Sequence, residues 1–189
     1  MYQAVSGDTI GTMIEDDMMS CLVEIGHQWL WEQRNLHRAE GRHLSDKEKR
    51  RLEDYYDRGI LDKVRVATVE RISNPMFFKE LKDSGYPVLD ISGASGMTFV
   101  DCIVIRSIFE QHASLWISIL FHELVHAVQC DVLGSRKLVE LYLQGWAQNG
   151  YQYDAIPLEA QAHRLESRFS SQHQPFSVRE VIEEELRAL

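Results

Sequence analysis

Positive charge is scarce in this chain: 20 Lys and Arg stand against 29 Asp and Glu, a formal net charge of −9. Nucleic acids and anionic membrane surfaces bind proteins through clustered cations, so this balance argues against both as partners. The densest basic run, Lys47-Glu-Lys-Arg-Arg51, is interleaved with acid and reads as the solvated face of a helix. Cysteine is sparse as well. Cys21, Cys102 and Cys130 are odd in number, widely spaced and each in an apolar context, which argues against a disulfide framework and predicts buried, reduced thiols. The uncharged run before His122 is too short to span a bilayer. The first residues, Met-Tyr-Gln-Ala-Val-Ser-Gly-Asp, lack the basic start and the continuous apolar run of a secretion signal. That predicts a cytoplasmic location, with export by a signal-independent route as the alternative. Repeats and low-complexity segments are missing too.

What is present suits a soluble globular protein. At 189 residues, with 44% hydrophobic and 26% charged residues, the chain is long enough for one domain with a proper core, spanning 1–189. Within it the pattern separates an N-terminal helical subregion, 13–58, from a core at 97–170 that carries the chemistry.

The centre of that core is His122-Glu-Leu-Val-His126. Residues four apart on a helix share a face, so His122 and His126 stand about 6 Å apart and can hold one small cation between them. This is a zinc-binding geometry. Glu123 is swung about 100° round the axis, off the imidazole face but within reach of a water at the same site, where it is placed as a general base. Apolar residues surround the motif on nearly all sides, marking a buried helix. Two histidines and a glutamate there are costly unless something satisfies them. The alternative is a hydrogen-bonded core or cleft without metal. Cys130 lies about 12 Å along the axis from His122, too far to join the pair.

Zinc sites of this kind take three protein ligands and leave a position for water. The helix opening at Pro157 offers Glu159, His163 and Glu166; Glu159 is preferred, with His163 next. Tyr151 and Tyr153, just before that helix, could donate to a developing oxyanion, although tyrosines more often simply pack. His27, His37 and His43 have no partner at ligand spacing and read as surface or satisfied histidines.

Along the rest of the chain, residues 1–12 carry no strong pattern. A Thr12–Glu15 capping box opens a long amphipathic helix ending near Gly41, and Ser45–Glu48 opens another running to about Gly59. Val64, Val66 and Val69 predict a strand within 61–72. Pro75 opens a short helix to Gly85, and 86–91 reads as a second short strand. Ser92 to Gly96 is a turn-rich connector, without the lysine and helix of a phosphate loop. Met97 to Arg106 is the best strand. The motif helix then begins at Ser107 or Ser114 and stops by Gly134. An amphipathic helix through Leu138–Trp146 closes at Asn149-Gly150. The Pro157 helix follows, and Ser177–Glu180 caps a last short one. The fold class is α+β, a mostly helical domain with a small mixed or antiparallel sheet beside the buried motif helix.

These residues resemble the zincin metallopeptidases, in the branch where glutamate is the third ligand. More narrowly, Met97-Thr-Phe, His122-Glu-Leu-Val-His-Ala-Val-Gln129 and Ile156-Pro-Leu-Glu-Ala-Gln-Ala162 resemble small bacterial zincin-like domains, some of which accompany contractile injection systems. The resemblance covers residues 97–170. It implies zinc at His122, His126 and Glu159, Glu123 as catalytic base, and a sheet beside the motif helix to which a peptide or protein substrate adds as a further strand. One departure stands out. The branch often places an acidic residue one turn after the third ligand to orient a zinc histidine, and here that position holds His163, so the support must be built differently. The function expected is zinc-dependent peptide hydrolysis. The rival is a zinc-bound, non-catalytic accessory or cargo module of a larger assembly, with a protein partner docking through the N-terminal helices.

Overall fold

The computed structural model describes residues 16–171 and 174–187. The arm at 1–12 and the Thr12–Glu15 capping box lie outside them. The described chain is a mostly helical α+β fold around a four-stranded mixed sheet, as the pattern predicted. In order come α1 (Asp16–Arg38), β1 (Arg42–His43), α2 (Asp46–Leu52), α3 (Arg58–Lys63), β2 (Arg65–Val69), α4 (Phe77–Asp83), β3 (Gly96–Phe99) and β4 (Cys102–Arg106). Then follow α5 (Ala113–Leu133), α6 (Ser135–Gln148), α7 (Pro157–Ser171) and α8 (Val178–Arg187).

The sheet runs β1-β2-β4-β3, with β2 and β4 parallel and the two outer pairings antiparallel. Successive strand residues point to opposite faces. In β4, Ile103 and Ile105 therefore enter the core built on α5, while Val104 enters a second core under α1. Both faces are covered, which is why Cys102-Ile-Val-Ile reads as an unbroken apolar run rather than an alternating one. The helix α5 is the centre. It packs against β3, β4, α6, α7 and α8 and buries Trp116, Leu120 to Val125 and Ala127 to Cys130. By length and hydropathy α5 could cross a membrane, but 67% of its most apolar window is buried inside the fold.

Several boundaries differ from expectation for local reasons. The capping box at Ser45 and Glu48 forms, but α2 stops at Leu52 because the Asp57 carboxylate accepts from the Ile60 N–H and starts α3, leaving Gly59 inside a helix. Leu61 to Lys63 belong to α3, so the strand expected within 61–72 shrinks to Arg65–Val69. Residues 86–91 form no strand. Pro87 cannot donate to a ladder, and Asn74 pins the segment instead, accepting from the Ile91 N–H at 2.9 Å and donating to Asp90 at 2.9 Å.

The stretch from Met97 to Arg106 is a hairpin rather than one strand. It turns at Val100, which has φ 60°, a conformation costly for a β-branched residue. Asp101 beside it is buried and receives the Arg34 fork at 2.8 and 3.1 Å and Arg38 at 3.3 Å, tying the turn to α1. The motif helix starts at Ala113, after a 3₁₀ turn at Ser107–Phe109, and neither Ser107 nor Ser114 caps it. It ends at Gly134 as expected. Among the cysteines Cys102 and Cys130 are buried, but Cys21 is exposed on α1, against expectation.

Glu48 links α2 to the core helix. Its buried carboxylate receives Arg42 at 2.8 and 2.7 Å, the Ser45 N–H at 2.7 Å and the Trp116 indole at 2.8 Å. Burial works against the charged form, but these donors outweigh it and hold the pKa at about 2 instead of 4.5. A carboxyl so depressed stabilises the fold above pH 4.5 and loses that contribution as pH falls toward 2. Glu48→Gln is expected to cost about 2 kcal/mol at pH 7 and to flatten the acid limb of the stability curve between those values. Denaturant melts across pH check it; an unchanged acid limb would remove Glu48 from the account.

Candidate metal centre

The local fold around the motif is set by two close approaches. At Gly145 of α6 an added Cβ would lie 2.6 Å from Pro157 Cδ, so glycine there lets the first turn of α7 pack directly onto α6. That contact brings Glu159 over α5. At Gly96 of β3 an added Cβ would lie 2.9 Å from Glu123 Oε1, so the strand and the motif glutamate are in contact.

The helix α5 presents His122 and His126 on one face, and their Nε2 atoms are 3.1 Å apart. Glu159 Oε2 is 3.3 Å from His122 Nε2, and Glu159 Oε1 is 3.3 Å from His126 Nε2. Donor atoms from three buried residues thus converge. Bonds of about 2.0–2.1 Å in a tetrahedron require donor separations of roughly 3.3 Å, close to those found.

The hydrogen bonds behind the imidazoles decide what the front can be. His122 Nδ1 faces the Glu166 carboxylate at 3.2 Å, and Ser118 steadies the other Glu166 oxygen at 2.7 Å. His126 Nδ1 lies 2.8 Å from Gln129 Oε1. The Gln129 orientation is fixed because its amide donates to the Leu158 carbonyl at 3.0 Å and to Gln161 Oε1 at 2.8 Å. In their neutral forms both rings would therefore place their single N–H at Nδ1. Two Nε2 lone pairs then point at each other and at a carboxylate whose Oε2 is buried without a hydrogen-bond partner. Such a cluster needs positive charge in its midst.

The protonation tendencies express the same demand. Burial opposes a charged His122, yet Glu159 and Glu166 push its pKa up to about 10. His126 is raised as well, Glu159 overcoming its burial. Burial would raise Glu159, but the two histidines and the Tyr142 hydroxyl, which donates to it at 2.7 Å, hold it far below the usual range. Glu123 goes the other way, raised chiefly by burial. It stands outside the converging group, with Oε2 2.8 Å from the Thr98 hydroxyl.

The structure thus joins His122, His126 and Glu159 in one group and leaves Glu123 beside it. His163 is not the third member. It is exposed, its ring 4.6 Å from that of His122 and its Nδ1 3.6 Å from Glu166. His122, His163 and Glu166 make a second, half-exposed grouping on the outer side of the same imidazole. Glu166 faces His122 two turns beyond Glu159, supplying the negative partner that the departure at His163 seemed to remove. Tyr151 packs on Trp146 at 5.0 Å, while Tyr153 is half-buried and lines the cleft beside Glu159. His27 bonds Ser135, and His37 stacks on Phe99.

Three supporting residues have roles that the sequence does not assign to them. Gln129 sits one turn after His126, a spacing that could have flagged it. Tyr142 looked like part of an amphipathic stripe, and Thr98 reaches Glu123 only through strand packing. Comparisons with protein-family models, with curated proteins and with solved structures each find no match.

The chain is expected to bind one equivalent of a divalent transition metal. Replacing His122, His126 or Glu159 by Ala should abolish this, read by elemental analysis of purified protein. Glu166→Gln should weaken affinity about 10–100-fold in chelator competition while keeping one-to-one stoichiometry.

Proposed function

We propose that this chain is a zinc-dependent metallopeptidase, with His122, His126 and Glu159 as zinc ligands and Glu123 as general base. The observation that carries the reading is the division of labour at the site: donors from three residues converge, and a separate carboxylate, Glu123, stands aside from them on the same cleft. A structural zinc site is usually closed by four protein ligands, and among the described residues no fourth His, Cys, Asp or Glu joins this group. This favours catalysis over a purely structural or cargo role. Two imidazoles and one carboxylate at near-tetrahedral separations suit zinc.

Bound there, zinc supplies Lewis acidity, lowering the pKa of water toward 7 and polarising the scissile carbonyl. The rest falls to the protein. Glu123, whose burial raises its proton affinity, takes the proton from the attacking water and returns it to the departing amine. Thr98 holds one Glu123 oxygen, and the approach of Gly96 limits its swing. Glu166 and Gln129 keep both imidazoles in the tautomer that turns Nε2 inward. The strand β3 ends the sheet order and packs against α5, so an extended peptide pairing with its outer edge would pass beside Glu123.

Glu123→Gln should keep full zinc content and lose at least about 100-fold in hydrolysis of denatured protein, followed by mass spectrometry. Retained activity in that variant would refute the assignment of the base. Gly96→Ala, which crowds Glu123 without touching a ligand, should also lower hydrolysis while zinc stoichiometry stays at one.

A further inference from the structure

Glu123, His126 and Glu159 line a cleft with a cavity volume of about 160 Å³, open to solvent at its mouth. Its walls come from three helices: Trp29 and Leu30 from α1, Phe78 and Leu81 from α4, Leu143 and Trp146 from α6. Among the described residues no Asp, Glu, Lys or Arg lines it apart from Glu123 and Glu159. The helix α4 carries no buried residue, and its half-buried Phe77 and Phe78 are part of the lining. Gly96, Met97 and Thr98 of the edge strand form part of the lining, so the cleft is continuous with the edge where a peptide would pair.

We propose that this cleft selects the substrate, taking one bulky apolar side chain, aromatic or branched aliphatic, from the residue next to the scissile bond. The proposal rests on the peptidase reading above. An acidic side chain entering the cleft would shed its water, find no cationic partner along the walls and meet two carboxylates. An aromatic or branched side chain removes apolar surface from water on every side. Sites of this kind combine an apolar lining with a few convergent polar groups, the pattern seen here.

The test measures binding to the zinc-loaded full chain by calorimetry, using two hydroxamate-capped dipeptides that differ in one side chain, phenylalanine or aspartate. The phenylalanine compound should bind at least about tenfold more tightly. Leu143→Asp on α6, or Leu81→Asp on the more exposed α4, should shrink that preference below about threefold while zinc content and melting temperature hold. Affinities within twofold of each other, binding of neither compound, or an undiminished preference in a folded variant would overturn the proposal. Cleavage sites in denatured protein separate it from the reading beneath it. A binding preference without any cleavage supports the cleft and sinks the peptidase, whereas cleavage with no apolar bias at the neighbouring residue does the reverse.

Discussion

Two imidazole nitrogens with free lone pairs, held 3.1 Å apart beside a buried carboxylate, cannot coexist at low cost unless a positive charge joins them. Much of the surrounding structure serves to enforce that encounter. Gly145 lets α7 approach α6, Glu166 and Gln129 fix the tautomers from behind, and Tyr142 holds the carboxylate in place. Together these contacts hold in one place three residues that could bind a metal ion.

The support of His126 extends well beyond the site. Gln129 leans on Gln161, which donates to Glu185 of α8 at 2.7 Å, and Arg164 closes on the same carboxylate. The last helix is thus joined to the metal face by a line of side-chain amides. Because each amide both donates and accepts, rotation of one would reverse the next, so the orientation of the His126 ring is fixed over a distance no single contact could cover.

The core of the site was legible because its information is local. A helix of fixed pitch places His122, Glu123 and His126 relative to one another whatever the rest of the chain does, and Pro157 marks the start of the helix bearing Glu159. Distance in the chain hid the rest. Thr98 meets Glu123 only because β3 packs on α5, and Glu166 meets His122 only because α7 crosses it. The hairpin at Val100 was missed for a different reason. No glycine or asparagine announces the turn, which is held by Asp101 and two arginines 67 and 63 residues away. The break at Asp57 overrode an otherwise helical pattern through one side-chain cap, the kind of local competition that periodicity cannot see.

The helix α1 seals one face of the sheet with Leu30 and also contributes a wall of the cleft with that same residue. Recognition surface and hydrophobic core therefore share atoms. Any drift in what the cleft accepts must pass through residues that the fold itself cannot spare, so new tastes would have to arise from the α4 side, where no buried position stands in the way.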